Sequence, residues 1–486
     1  MGSRSFLTAW IASAILGHSA CAPPASSERG RGILVIAIDG LRYDHLGASG
    51  YDRNTSPALD ALAGEGVFFK AAYSAAPWQV PAHMGLISGA DPRIARKTLP
   101  ASVAVNQASL WHLPEAAPHP AAEFLGHGFS TALFYDHSNL SPVYGYDRGF
   151  ELYQGPNQEA ADARGDFGSE AVFRRFQQWL ALSPRDKSWF AYLELADLER
   201  VWDEQDARRD TRFQPRPELS RVPPVGDAQH LFFALPRSRW SGGVATLGEY
   251  ESRYDGGIQR IDQAFAMLRT QLEQMGRWED TTIVVVGAYG MSLGESGLLL
   301  DSGTFSDVDL HVPLIVRAGR GIPTTPGRSE TLISTLDVLP TLLDLYGISV
   351  PSRDAISFAR VLSGAEARGV RREMQASCGY QEGFATLDRW YCYERTWPGR
   401  VEDPHLSSSW FGDSEPHTDV MREVWHDRRA DPLLGHLSSG NLADPLARDL
   451  ATRGELAAED VEKRRAELQG EPSAGPAAPA DQTGGR

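Results

Sequence analysis

Residues Ile33-Leu34-Val35-Ile36-Ala37-Ile38 form an unbroken apolar, β-branched run that stops at Asp39-Gly40. A run of that kind predicts a strand buried on both faces, as parallel strands under helices are. Thr131 to Tyr135, Trp189 to Leu195, Thr282 to Val286 and Val312 to Val316 read the same way. Between them apolar residues return at helical spacing, over Ser56 to Gly64, Glu170 to Leu182, Tyr250 to Met275 and Ser334 to Tyr346. Thr55 or Ser56 suits the cap of the first of these helices, and Pro57 suits its first turn. Strands alternating with helices predict an α/β fold, a mostly parallel sheet sandwiched by helices. Function in such sheets gathers outside the carboxyl ends of the strands. That rule sets Asp39 and the Gly287-Ala288-Tyr289-Gly290 segment at one rim.

Beyond this core the pattern changes character. Arg4 followed by the twelve-residue apolar run Phe6 to Gly17, broken only by Thr8 and Ser13, has the shape of a signal peptide over residues 1–20, too short to span a bilayer. Ser19-Ala20-Cys21 resembles a bacterial lipoprotein cleavage site, with Cys21 as the lipidated residue. His18 stands where such sites usually carry an aliphatic residue, so a plain signal-peptidase cut is the alternative. Residues 21–32 read as a tether and 33–350 as the α/β core. Residues 351–470 read as a smaller C-terminal α+β region with a hairpin pattern at Phe384 to Glu394, and 471–486 as a disordered Pro/Ala/Gly-rich tail. The expected location is the bacterial periplasm or cell envelope, with membrane contact only through the N-terminal lipid.

Composition narrows the partners. The chain of 486 residues carries a formal charge of −16, which argues against nucleic acid, since phosphate backbones are held by clustered Lys and Arg. With Cys21 consumed, Cys378 and Cys392 remain as a pair. A bridge between them would contribute about 3 kcal/mol by loop closure, and two unpaired thiols are the alternative.

Several motifs then occur in a fixed order. They are the segment from Ile38 to Leu46, Asn54 to Asp60 leading to Gly66-Val67-Phe68-Phe69, Ala76 to Gly89, His311 to Ile315, and Asp337 to Thr341. Together with the helix carrying Tyr254 and Asp262, they resemble the sulfatase family of the alkaline phosphatase superfamily over about Ile33 to Gly364. The resemblance implies a divalent metal at the sheet rim and a nucleophile at a helix N-terminus. It also implies cationic side chains around the sulfate.

Set on that frame, Asp39 matches the first metal-ligating Asp, and His83 matches the polar residue four places beyond the nucleophile. Gln79 takes the place of the nucleophile itself, a Cys, Ser or Thr in the family, and an amide is no nucleophile. Ala288 and Tyr289 stand where the family carries Asp-His, Ser296 where relatives carry His, and Asp301 where a cation contacts sulfate. Glu194 and Glu199 fall where His is common. Ser74 and Ser88 are wrongly placed to act as nucleophiles, and Asp44-His45 and Asp136-His137 read as solvated or capping pairs.

The expectation is a site stripped of nucleophile and of every metal ligand but Asp39, in a catalytically degenerate protein with a binding or structural role for an unknown ligand or protein partner. Two alternatives remain open. One is an active sulfuric- or phosphoric-ester hydrolase with an atypical site. The other is a non-catalytic scaffold in which Asp39, Asp301 and Glu194 collect Ca2+ or Mg2+ through oxygen ligands.

Overall fold

In the computed structural model the described residues are 30–92, 112–156, 167–201, 213–220, 246–294, 299–303, 306–349, 354–366 and 371–377, with short pieces between them and the backbone of strands within 381–439. Eight strands build the main sheet: β1 (Gly32–Ile38), β2 (Val67–Tyr73), β3 (Ser130–Phe134), β4 (Leu152–Gln154), β5 (Trp189–Leu195), β6 (Thr281–Gly287), β7 (His311–Arg317) and β8 (Gly327–Ser334). Their order is β8-β2-β7-β6-β1-β5-β3-β4. Every neighbouring pair is parallel except the two made by β7, which runs against both β2 and β6. The mostly parallel α/β sandwich read from the strand and helix alternation is therefore the fold.

The two-sided burial of β1 is visible residue by residue. Leu34, Ile36 and Ile38 join one apolar cluster, while Ile33, Val35 and Ala37 join the other, as a period of two requires. Helices α1 (Pro57–Glu65), α4 (Ser169–Leu182) and α5 (Leu247–Gln274) cover the first face through Leu59, Val172 and Ile258. Helices α2 (Gln79–Ser88), α3 (Pro120–Gly126) and α7 (Val338–Leu345) cover the second through Met84, Phe124 and Leu339. A short helix, α6 (Asp307–Leu310), leads into β7. Each fully buried Val, Leu or Ile contributes about 1.5–3 kcal/mol, so the sheet interior dominates the stability.

Local signals fix where the helices begin. Helix α5, the longest at 28 residues, opens on a capping box in which Thr246 and Glu249 satisfy each other's backbone N–H. Helix α1 is capped from a distance: Asp262 of α5 accepts from the N–H groups of Ala58 and Leu59 at 2.8–2.9 Å, which ties the two helices together. Beyond the core, strands Met374–Ser377, Gln381–Ala385, Arg389–Arg395, Val420–Asp427 and Ser438–Ser439 form a five-stranded antiparallel sheet. The expected signal peptide, Cys21, most of the tether and the tail lie outside the described residues, as does Cys378, while Cys392 is described in backbone only. No helix among the described residues is long and apolar enough to cross a membrane.

Candidate metal centre at the sheet rim

Three neighbouring strands deliver the site. β1 stops at Ile38, leaving Asp39 on the rim with its N–H donated to the Leu195 carbonyl at 2.9 Å. The parallel register of β1 on β5 sets Ala37 beside Glu194. On the other flank the Ala288 N–H donates to the Ile38 carbonyl at 2.9 Å, while the Ala288 carbonyl accepts from the Ser74 hydroxyl at 2.6 Å. Helix α2 starts at Gln79 after the extended residue Trp78, so Gln79 and His83 lie one turn apart on one face.

These placements close a buried polar network. The Gln79 amide donates through Nε2 to Asp39 Oδ2 and to Glu194 Oε1, the latter at 3.2 Å. His83 Nε2 lies 2.7 Å from Asp39 Oδ1, and its Nδ1 lies 2.7 Å from the Tyr192 hydroxyl. Glu194 Oε2 accepts from the backbone N–H of Asp136 at 2.5 Å and of His137 at 3.1 Å. Asp39, His83 and Glu194 are completely buried. Tyr289 is buried beside them and donates its hydroxyl to Glu199 at 3.0 Å.

Burial sets the electrostatics. It pushes the Asp39 carboxyl well above the usual carboxylate range, opposed by hydrogen bonds from Glu194 and Gln79. Glu194 is raised in the same direction, first by burial and then by the charge of Asp39. The His83 imidazole is pushed down to about 4 by burial. These directions favour a neutral imidazole and a proton retained by the two carboxyls while no cation lies between them.

One expectation is overturned here. Asp39 is not the sole remaining metal ligand: Asp39, His83 and Glu194 each offer a ligand atom, and these atoms lie within 4.8 Å of one another. The physical reason is geometric. Glu194 stands where His is common in the family, yet strand register brings its carboxylate to the same point as Asp39, where two carboxylates and an imidazole form a candidate ligand set. His83 is carried there by its helical spacing from Gln79, a signal present in the sequence.

The other candidate residues divide. Asp136 is no solvated residue: it is buried, paired with Arg200, and accepts from the Gly168 N–H at 2.8 Å. His137 serves the rim through its backbone N–H. Asp44 is partly exposed and paired with Arg42, while its neighbour His45 is buried against Asp255 at 2.8 Å. Ser88 bonds back to the Met84 carbonyl at 2.6 Å, in keeping with a structural role. Asp301 pairs through its backbone with Ser292, and its side chain, like the whole of Ser296, lies outside the described residues.

Residues 31–348 match the family model described as Sulfatase. The chain belongs to the sulfatase family. Among curated proteins it is 24% identical over 372 residues to the Delta 4,5-hexuronate-2-O-sulfatase of Bacteroides thetaiotaomicron, covering 72% of this chain and 75% of that one. It is 25% identical over 379 residues to the choline-sulfatase of Rhizobium meliloti, covering 69% and 72%. Among solved structures, the phosphonate monoester hydrolase of Agrobacterium radiobacter superposes with a TM-score of 0.64 at 18% identity, covering 90% of this chain and 96% of that one. A 2-O GAG sulfatase superposes with a TM-score of 0.62 at 18% identity, covering 91% and 93%. At such identities the structural likeness concerns the fold.

Family membership implies a divalent metal, and the rim residues fit one. Two carboxylates and an imidazole are suitable donors, and the atoms of His83 and Glu194 that face away from the centre are already engaged by Tyr192 and by backbone N–H groups. When bound, such a cation would neutralise the carboxylates and relieve their mutual repulsion.

Proposed function

We propose that this sulfatase-family chain binds a ligand at its rim without hydrolysing it. The observation that carries the reading is the identity and engagement of Gln79. The first residue of α2 is where the family's nucleophile belongs, and here it is an amide bonded to Asp39 and Glu194. Its nitrogen has no usable lone pair, and the side chain has no proton to lose near neutral pH. The N-terminus of α2 still supplies backbone N–H groups suited to an anionic group, so loss of attack does not entail loss of binding.

Assays with 4-nitrophenyl sulfate, phosphate and phosphonate esters test this, with and without added divalent metal. The expected result is no turnover above background. Turnover that Asp39→Ala abolishes would sink the reading and establish instead an ester hydrolase with an atypical site. That second possibility is supported by the Asp39, His83 and Glu194 cluster. Export and lipid attachment at Cys21 remain part of the proposal and rest on the N-terminal sequence. Metabolic labelling with palmitate should mark the parent chain and not Cys21→Ser, and an unlabelled parent would remove the anchor.

A further inference from the structure

We infer that the rim binds a zinc-type divalent cation in a closed, four-ligand site made by Asp39, His83, Glu194 and Gln79, with the Gln79 amide turning over to present its oxygen. The selectivity follows from the donor atoms. Ca2+ takes six to eight oxygen ligands and Mg2+ takes octahedral oxygen, often as water. A buried set with one imidazole nitrogen, two carboxylates and one amide oxygen offers four mixed donors, a number and type that suit Zn2+.

The outward atoms are already committed, which leaves the inward ones to the cation. His83 Nδ1 faces the Tyr192 hydroxyl, so Nδ1–H donated to Tyr192 would leave the Nε2 lone pair pointing at the centre. Glu194 Oε2 is held by two backbone N–H groups while Oε1 faces inward. Asp39 is fixed through its own N–H on Leu195.

Gln79 is the moving part. Its Nε2 now stands between Asp39 Oδ2 and Glu194 Oε1, a neutral donor filling the cation's place. With its oxygen turned inward, the amide would set a third acceptor against two carboxylates, an arrangement that holds only with a cation between them. Cation occupancy and amide orientation are thereby coupled. Four protein ligands leave no open position, the arrangement of structural rather than catalytic zinc. The inference does not depend on whether the chain hydrolyses esters.

Titration calorimetry of the chelator-treated full chain with ZnCl2, MgCl2 and CaCl2 tests it, together with the visible spectrum of the Co2+-loaded protein. One Zn2+ per chain is expected, bound at least about 100-fold more tightly than Mg2+ or Ca2+. The Co2+ form should show the intense d–d bands of a four-coordinate centre without thiolate charge-transfer bands. Tyr192→Phe, which keeps the packing, should weaken Zn2+ by about 10–100-fold. Gln79→Leu should weaken it too and shift the Co2+ spectrum, and His83→Gln, checked for folding by circular dichroism, should erase the preference for zinc. Absence of one-to-one zinc binding, equal affinity for Mg2+ or Ca2+, thiolate bands, or binding unchanged in folded Gln79→Leu and His83→Gln would each overturn the assignment.

Discussion

Replacing Gln79 by Leu removes two N–H donors from between two buried carboxyls while keeping the side-chain volume close to the original. In the parent those donors reach Asp39 and Glu194. Hydrogen bonds to ionised groups contribute about 1.5–3 kcal/mol each, against about 0.5–1.5 kcal/mol for neutral pairs. Full ionisation of both carboxyls at about 4 Å would add repulsion of about 4 kcal/mol at an effective dielectric of 20, which a retained proton avoids. The expected cost of Gln79→Leu is therefore about 1–3 kcal/mol while both carboxyls keep their protons, and it grows as the pair ionises, measured without metal.

The pH trend has a definite sign. Asp39 and Glu194 both have folded-state values above the ordinary carboxylate range. Their contribution is fully present below the unfolded value near 4 and is lost as pH rises through the folded value. Losing the Gln79 donors raises those folded values further and deepens the loss. Urea and thermal melts of the parent, Gln79→Leu, Glu194→Gln and the double variant across a pH series read it out. In the Glu194→Gln background one charge is gone, so Gln79→Leu should cost less by about 1 kcal/mol or more. A cost of Gln79→Leu within about 0.5 kcal/mol of zero, with no coupling to position 194, would refute the bridging role.

Two further outcomes follow from other parts of the fold. Asp262 caps α1 and is raised to about 6 by burial, so its contribution is lost as pH rises from about 4 through 6. The stability difference between Asp262→Asn and the parent should accordingly move in the variant's favour across that range in thermal melts. Asp136→Asn breaks the pair with Arg200 and should cost about 3 kcal/mol, the low end for a buried pair because Arg200 is partly exposed; a melt within 0.5 kcal/mol of the parent, about the size of a neutral surface change, would refute it.

Core strands such as β1 and β6 were legible because burial on two faces leaves a continuous apolar run. Edge strand β8 was not, since its first half, Gly327-Arg328-Ser329-Glu330, is largely solvent-facing and polar. In the site, the positions of Asp39 and Gln79 were legible from their flanking motifs. The partnership of Asp39 with Glu194 was legible only as an alternative, because it depends on which residue of β5 the register sets beside β1. His83 was matched only to a polar position of the family frame, whereas the fold sets it with Asp39 and Glu194 as a candidate ligand set.

Helix α2 is buried at all ten positions, and it ends at Gly89, whose left-handed backbone lies against Pro340. Its body is thus gripped by the apolar layer while Gln79 and His83 reach the rim. The helix behaves as a socket: the apolar layer holds the mount, and a change at position 79 is felt at the two carboxyls it bridges. A lineage could exchange a reactive group for an amide there while retaining the architecture, and a protein engineer can use the same seat to install thiol, hydroxyl or imidazole chemistry once the Asp39 and Glu194 carboxyls are given other partners.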